Sequence, residues 1–155
     1  MPGRLQVEIK QNKPFPHPTA EALLGILRTA AVLEHHLAEG LKPYGITTTQ
    51  YNVLRILRGA GPNGMCGREV AERLVSRVPD VSRLLDRTEE LGLIKRERDP
   101  EDRRHVTARI TEKGLAVLER ATPELEALVR RRFDRLDPEG LQRLIAALED
   151  VRGGV

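Results

Sequence analysis

The stretch Gly92–Gly114, GLIKRERDPEDRRHVTARITEKG, decides how this chain folds. Its pattern predicts a short strand over Leu93–Arg98, a charged turn over Asp99–Arg103 and a returning strand over Arg104–Ile110. Ile94, Val106 and Ile110 supply the apolar strand positions, while Pro100 and the flanking Asp residues mark the turn. Thr111 is placed to cap a new helix. The result is a β-hairpin tipped with arginine that follows directly on an amphipathic segment.

That segment, immediately upstream, predicts a helix opening at Pro79, where the missing N–H costs nothing, and ending at Gly92. Val81, Leu84, Leu85 and Leu91 form its inner face, which turns Asp80, Ser82, Arg83, Asp86, Arg87 and Glu90 outward. A shorter helix over Arg68–Val75 buries Val70, Ala71 and Leu74. Before it, Gly59–Gly64 forms a turn after the helix TTQYNVLRILRGA. In that helix Val53, Leu54, Ile56 and Leu57 are largely buried. Thr47 and Gln50 have the spacing of a capping box, with Ile46 and Tyr51 where a hydrophobic staple closes over it.

The first helix runs from about Thr19 to Gly40, with Leu23, Ile26, Leu27, Ala30, Leu33 and Leu37 at helical spacing, and Pro43 and Gly45 break the chain after it. Beyond the hairpin, a long helix spans Thr111 to about Phe133 with Leu115, Leu118, Leu125, Leu128 and Val129. Asp137 and Pro138 open a last helix lined by Leu141, Leu144, Ile145 and Leu148. The architecture expected is mainly α, with six helices and a small β-hairpin. The terminal helices carry more apolar surface than so small a core covers, which predicts a homodimer with interleaved N- and C-terminal helices.

Composition sets the bounds. The chain has 155 residues, enough for one domain with a real core. Hydrophobic residues make up 39% and charged residues 32%, as in an ordinary globular protein. No apolar run approaches the roughly 18 residues of a membrane span. Residues 1–18 are polar and proline-rich, without the apolar core of a secretory signal, and read as a flexible or extended arm. A cytoplasmic location is expected. The single cysteine, Cys66, excludes an intrachain disulfide and a multi-cysteine zinc site. The net charge of +3 is too small to imply a nucleic-acid partner by itself. Arginine outnumbers lysine 21 to 5, but a GC-rich genome explains most of that excess, so position has to carry the argument.

The pattern DPEDRRxxxxxxT followed by EKG resembles the wing of the MarR family of bacterial transcription regulators. The similarity extends through TTTQYNVLRIL and VSRVPDVSRLLDRTEELG and covers about residues 20 to 150. It implies a winged helix-turn-helix. Residues 45–111 would form the DNA-binding lobe, and residues 19–44 and 112–155 the helical dimerisation region. It also implies that Arg104 of the Asp-x-Arg pair enters the minor groove while Asp102 holds its guanidinium. Arg83 and Arg87, four residues apart on one helix face, are suited to base edges or phosphate. Ser82 suits a base or a phosphate, and Asp80 suits cytosine or a neighbouring Arg. Arg98, Arg103, Arg77 and Arg68 are assigned to phosphates. The expected partners are double-stranded DNA and a second copy of the chain, in a regulator acting most simply as a repressor on a pseudo-palindromic operator. A small-molecule effector is left open, with Leu33, His36, Tyr44 and Tyr51 as candidate pocket walls. The departure from the family pattern is Thr88, at a position more often apolar.

Other motifs carry less. Gly59–Gly64 spells GxGxxG, but that fingerprint needs a preceding strand, and a helix precedes it here. His35 and His36 project about 100° apart and do not share a metal readily. No metal, cofactor or catalytic constellation is expected. Two further readings stay open: a winged-helix module binding an acidic protein, and a redox-sensing regulator that uses Cys66 with Arg68 nearby.

Overall fold

The structure is a computed structural model that describes residues 3–102 and 104–153. Its chain divides into two compact units at residues 39 and 40. In the first unit, helix α1 (Arg4–Glu8) occupies part of the segment expected to be an extended arm. Helix α2 (Pro18–Leu41) begins there and runs on into the second unit. Leu23 and Leu27, expected on its apolar face, are 58% and 56% exposed.

The second unit is built by local capping chemistry. A single 3-10 turn (Lys42–Tyr44) leads to Gly45 at φ 68°, a left-handed conformation suited to glycine. Helix α3 (Thr48–Ala60) then opens with the expected capping box. The Gln50 N–H donates to the Thr47 hydroxyl at 3.2 Å and the Thr47 N–H donates to Gln50 Oε1 at 2.9 Å. Val53, Leu54 and Leu57 are fully buried, Ile56 only in part. The glycine-rich turn is shorter than expected, because α3 continues through Gly59 and Ala60.

Helix α4 (Gly67–Arg73) stops earlier than periodicity suggests. Val75 donates its N–H to Asn52 Oδ1 of α3 at 2.9 Å, which draws the chain out of the helix. Val70 is buried and Leu74 half-buried, but Ala71 is exposed, contrary to expectation, because it lies about 100° around the helix from Val70. Helix α5 (Val81–Glu90) starts two residues after Pro79 because Asp80 is its N-cap, accepting the Arg83 N–H at 2.9 Å. Leu85 and Thr88 form its buried stripe. Leu91 lies past its end and is exposed, a second correction to the expected inner face. Thr88 is accommodated at an apolar position because its hydroxyl donates to the Leu84 carbonyl at 2.7 Å.

Strands β2 (Ile94–Arg98) and β3 (Val106–Ile110) form the hairpin, with Arg96 opposite Ala108. Arg104 and His105 belong to the turn rather than to the returning strand. A third strand, β1 (Met65–Cys66), pairs with β3, giving the antiparallel order β1-β3-β2. Helix α6 (Glu112–Phe133) buries Leu118, Ala121 and Leu125, and helix α7 (Pro138–Arg152) has Asp137 as its cap. Among its described residues α7 buries none, and Leu144, Ile145 and Val151 are exposed.

The join between α5 and α6 is dense. Three successive carbonyls after α5 accept from the start of α6: Leu91 from Lys113 Nζ at 2.7 Å, Gly92 from the Thr111 hydroxyl at 2.7 Å, and Leu93 from the Thr111 N–H at 3.0 Å. The Thr111 hydroxyl oxygen also accepts the Gly114 N–H at 3.0 Å, capping α6. At Gly114 a Cβ would run into the Leu93 carbonyl oxygen and the Ile110 side chain, so this position admits no side chain. Gly114→Ala is therefore expected to destabilise the fold by about 1–3 kcal/mol through overpacking, measured by urea unfolding. Unchanged stability would show that the junction yields.

Candidate nucleic-acid interface

Helix α5 and the wing share one exposed, arginine-rich surface. Its geometry comes from side chains that fasten the wing on both faces. Alternation along β2 puts Ile94, Arg96 and Arg98 on one side and Lys95 and Glu97 on the other. On the first side, Glu89 of α5 grips Arg96 twice. Its Oε1 accepts the Arg96 backbone N–H at 2.7 Å, and its Oε2 accepts Nε at 3.0 Å with Nη2 at 2.9 Å. The same Nη2 reaches on to Asp86 Oδ1. On the other side, Arg109 of β3 donates to the Pro62 carbonyl at 2.7 Å and to Glu97 Oε2 at 3.0 Å. Lys95 also pairs with Glu97, at 2.9 Å. Gly64 is required beside this strand: its φ is 67°, and a Cβ there would strike the Ala108 carbonyl.

The wing tip is held by carboxylates. Asp99 Oδ1 accepts the backbone N–H groups of Glu101 and Asp102 at 2.8 and 3.3 Å. Asp102 Oδ1 accepts the backbone N–H of Arg104 at 3.0 Å, and its Oδ2 lies 3.7 Å from His105 Nε2. Asp102 therefore shapes the turn through the Arg104 backbone. The expected grip on the Arg104 guanidinium is not formed.

The candidate residues sort into two groups. Arg77, Arg83, Arg87, Arg98 and Arg104 are exposed, and their guanidinium groups have no ion-pair or hydrogen-bond partner among the described residues. Ser82 is exposed beside them. Others are already engaged: Asp80 caps α5, and Arg68 pairs with Glu72 at 3.1 Å within α4. Arg103 lies outside the described residues. Residue-by-residue reading missed Arg96, Glu89 and Arg109; the only signal was that opposite charges stood on segments destined to meet.

The other candidates are dispersed. Tyr44 donates its hydroxyl to the Arg120 carbonyl at 3.2 Å, with the Arg120 guanidinium 5.6 Å from its ring centroid. The Tyr51 and Thr122 hydroxyls are 3.0 Å apart. Both tyrosines lie in the second unit, whereas Leu33 and His36 lie in the first. Cys66 is half-buried, and its N–H donates to Glu69 Oε2 at 3.0 Å. Among the described residues, no group of three or more potential metal ligands comes together, and no helix is long and apolar enough to cross a membrane.

The brace has an acid-base consequence. Glu89 is held below the ordinary carboxylate range, first by the Arg96 backbone N–H and then by its guanidinium. Burial opposes the charge on Arg96, but the hydrogen bonds to Asp86 and Glu89 outweigh it and raise its pKa. A carboxyl whose folded pKa is depressed contributes stability above its unfolded pKa and loses it as pH falls through the folded value. The Glu89 contribution is thus complete above the ordinary value of 4.5 and disappears at lower pH. Glu89→Gln should melt below the wild type at pH 7 and approach it near the acid end of a pH series. A constant gap across that series would show that the carboxylate charge is immaterial.

Comparison with known proteins places this geometry. The MarR family is matched over residues 44–105. The uncharacterised HTH-type transcriptional regulator YkoM of Bacillus subtilis is 31% identical over 119 residues, covering 77% of this chain and 75% of that one. The crystal structure of AbsC, a MarR family transcriptional regulator from Streptomyces coelicolor, superposes with a TM-score of 0.74 at 31% identity, covering 90% and 96% of the two chains. The fold alone is shared with S. aureus MepR in its DNA complex, at 22% identity and a TM-score of 0.76, over 84% of this chain and 95% of that one. This chain belongs to the MarR family of transcriptional regulators.

Proposed function

We propose that the protein is a sequence-specific regulator of double-stranded DNA, acting most simply as a cytoplasmic repressor on a pseudo-palindromic operator. The observation that carries this reading is the set of exposed guanidinium groups on α5 and the wing, unpaired among the described residues, beside carboxylates already engaged in structural bonds. Exposed arginine that is not paired with those carboxylates is available to an outside anion, and its fork fits phosphate and guanine. In this reading Arg83, Arg87 and Ser82 meet the major groove. Arg104 enters the minor groove, where narrow stretches concentrate negative potential. Arg77, Arg98 and Arg103 bind phosphate, and Asp80 acts through its cap. The DNA complex of MepR, which has the same fold, is in keeping with such a use of the surface.

The functional unit we propose is a homodimer. Its recognition helices would enter successive major grooves about one helical turn apart. The exposed apolar side chains support this: Leu23 and Leu27 on α2, and Leu144, Ile145 and Val151 on α7, each need a cover that the monomer does not supply. A small-molecule effector would act by favouring a dimer whose recognition helices are wrongly spaced for the operator.

Fluorescence anisotropy with labelled DNA from upstream of the protein's own gene, against unrelated competitor DNA at fixed salt, tests the reading. Arg83→Ala and Arg104→Ala should each weaken binding by roughly five- to 150-fold, the size of a lost contact of about 1–3 kcal/mol. The wild-type affinity should also fall steeply with salt. Affinity indifferent to salt and to both substitutions would point instead to a protein partner for this surface.

A further inference from the structure

The least exposed arginine of this surface, Arg96, is held by two carboxylates. Arg96 is on the face of β2 that meets α5, its side chain is only 23% exposed, and its Nε and Nη2 are both taken. Its two partners differ. Glu89 holds the backbone and the side chain of Arg96 together, which is a structural anchor. Asp86 is held only by the tip of the guanidinium, and it lies on the exposed side of α5.

Asp86 is also three residues from Arg83, the spacing at which opposite charges on a helix pair. That pair is absent here. Arg83 is unpaired among the described residues: the Asp86 carboxylate turns toward the wing, and that of Asp80 is taken by the Arg83 backbone N–H. An isolated α5 with the sequence VSRLLDRTEE would have no such restraint, and Asp86 would compete with DNA for Arg83.

Resting on the DNA-binding reading above, we infer that Arg96 is a positioning residue that keeps the recognition surface positive by withdrawing Asp86 from Arg83. The two arms of Arg96 then do different work. The Glu89 arm fixes α5 to the wing and sets stability. The Asp86 arm sets DNA affinity without Arg96 touching DNA.

A four-variant cycle separates these jobs: wild type, Asp86→Asn, Arg96→Met and the double variant. Methionine keeps much of the aliphatic stem of Arg96 while removing its charge. The probe is a duplex enriched from random sequence by the wild-type protein, with binding read by anisotropy and folding by thermal melting. Arg96→Met is expected to weaken binding by about tenfold and to lower the melting temperature. Adding Asp86→Asn should restore most of the binding but not the melting temperature. That recovery should exceed the gain Asp86→Asn gives in the wild-type background by about tenfold, the size of a coupled neighbour pair.

Equal binding by Arg96→Met and wild type overturns the inference, as does a double variant no tighter than Arg96→Met. A loss of binding in Asp86→Asn alone would make Asp86 a DNA contact and also overturn it. If the wild-type protein enriches no sequence at all, the DNA-binding reading fails and this inference falls with it.

Discussion

The hydroxyl of Thr111 is the joint on which the arrangement depends. It donates to the Gly92 carbonyl at the end of α5 and accepts the Gly114 N–H at the start of α6. One small side chain thus caps one helix and ties down the exit of another. The neighbouring Leu93 and Leu91 carbonyls are satisfied from the same short segment. Helix α5 cannot tilt at its C-terminal end without breaking bonds that also begin α6, and only glycine at position 114 lets the chains come this close. The precision of the arginine-bearing surface begins at this joint.

From there, control passes outward along β2. The Glu89–Arg96 pair, on the α5 side of the strand, and the Arg109–Glu97 pair, on the other, hold the wing between α5 and the turn at Pro62. Beyond them, the tip is shaped by side chain-to-backbone bonds from Asp99 and Asp102 and by two backbone bonds, from the Asp99 N–H to the His105 carbonyl and from the His105 N–H to the Asp102 carbonyl. The surface is therefore fastened to the core through α5 and β2, while its tip is held by bonds within the turn itself. Acidic residues in it act mainly as internal struts, so a composition of nearly balanced charge still presents a basic face.

Local chemistry was legible in the chain. The Thr47–Gln50 box and the caps at Thr111 and Asp137 depend on residues three apart, and each formed as spacing requires. The hairpin and the family it points to were readable for the same reason. What escaped reading was non-local. Helix α4 ends early because Asn52, 23 residues away, takes the Val75 N–H. Strand β1 is two residues long, too short to show a period, and exists only because β3 lies beside it. Asp80 rather than Pro79 opens α5, since a carboxylate cap outweighs the proline preference for a first turn. The Arg96 brace was invisible because Asp86 looked like an ordinary outward charge on an amphipathic helix and Glu89 carried no signal of its own.

The grip of Glu89 on the Arg96 backbone also affects the molecule's behaviour in a crowd. With β3 at the centre of the sheet, β2 is an edge strand, and an edge strand offers unpaired N–H groups to any passing extended chain. The Arg96 N–H is already occupied by a side chain of its own fold, and charged residues stand on either side of it. Another strand arriving there would have to displace a carboxylate to reach the Arg96 N–H. The brace that orders the wing thus also blocks the middle of its open edge to self-templated pairing, a hazard of exposed sheet edges.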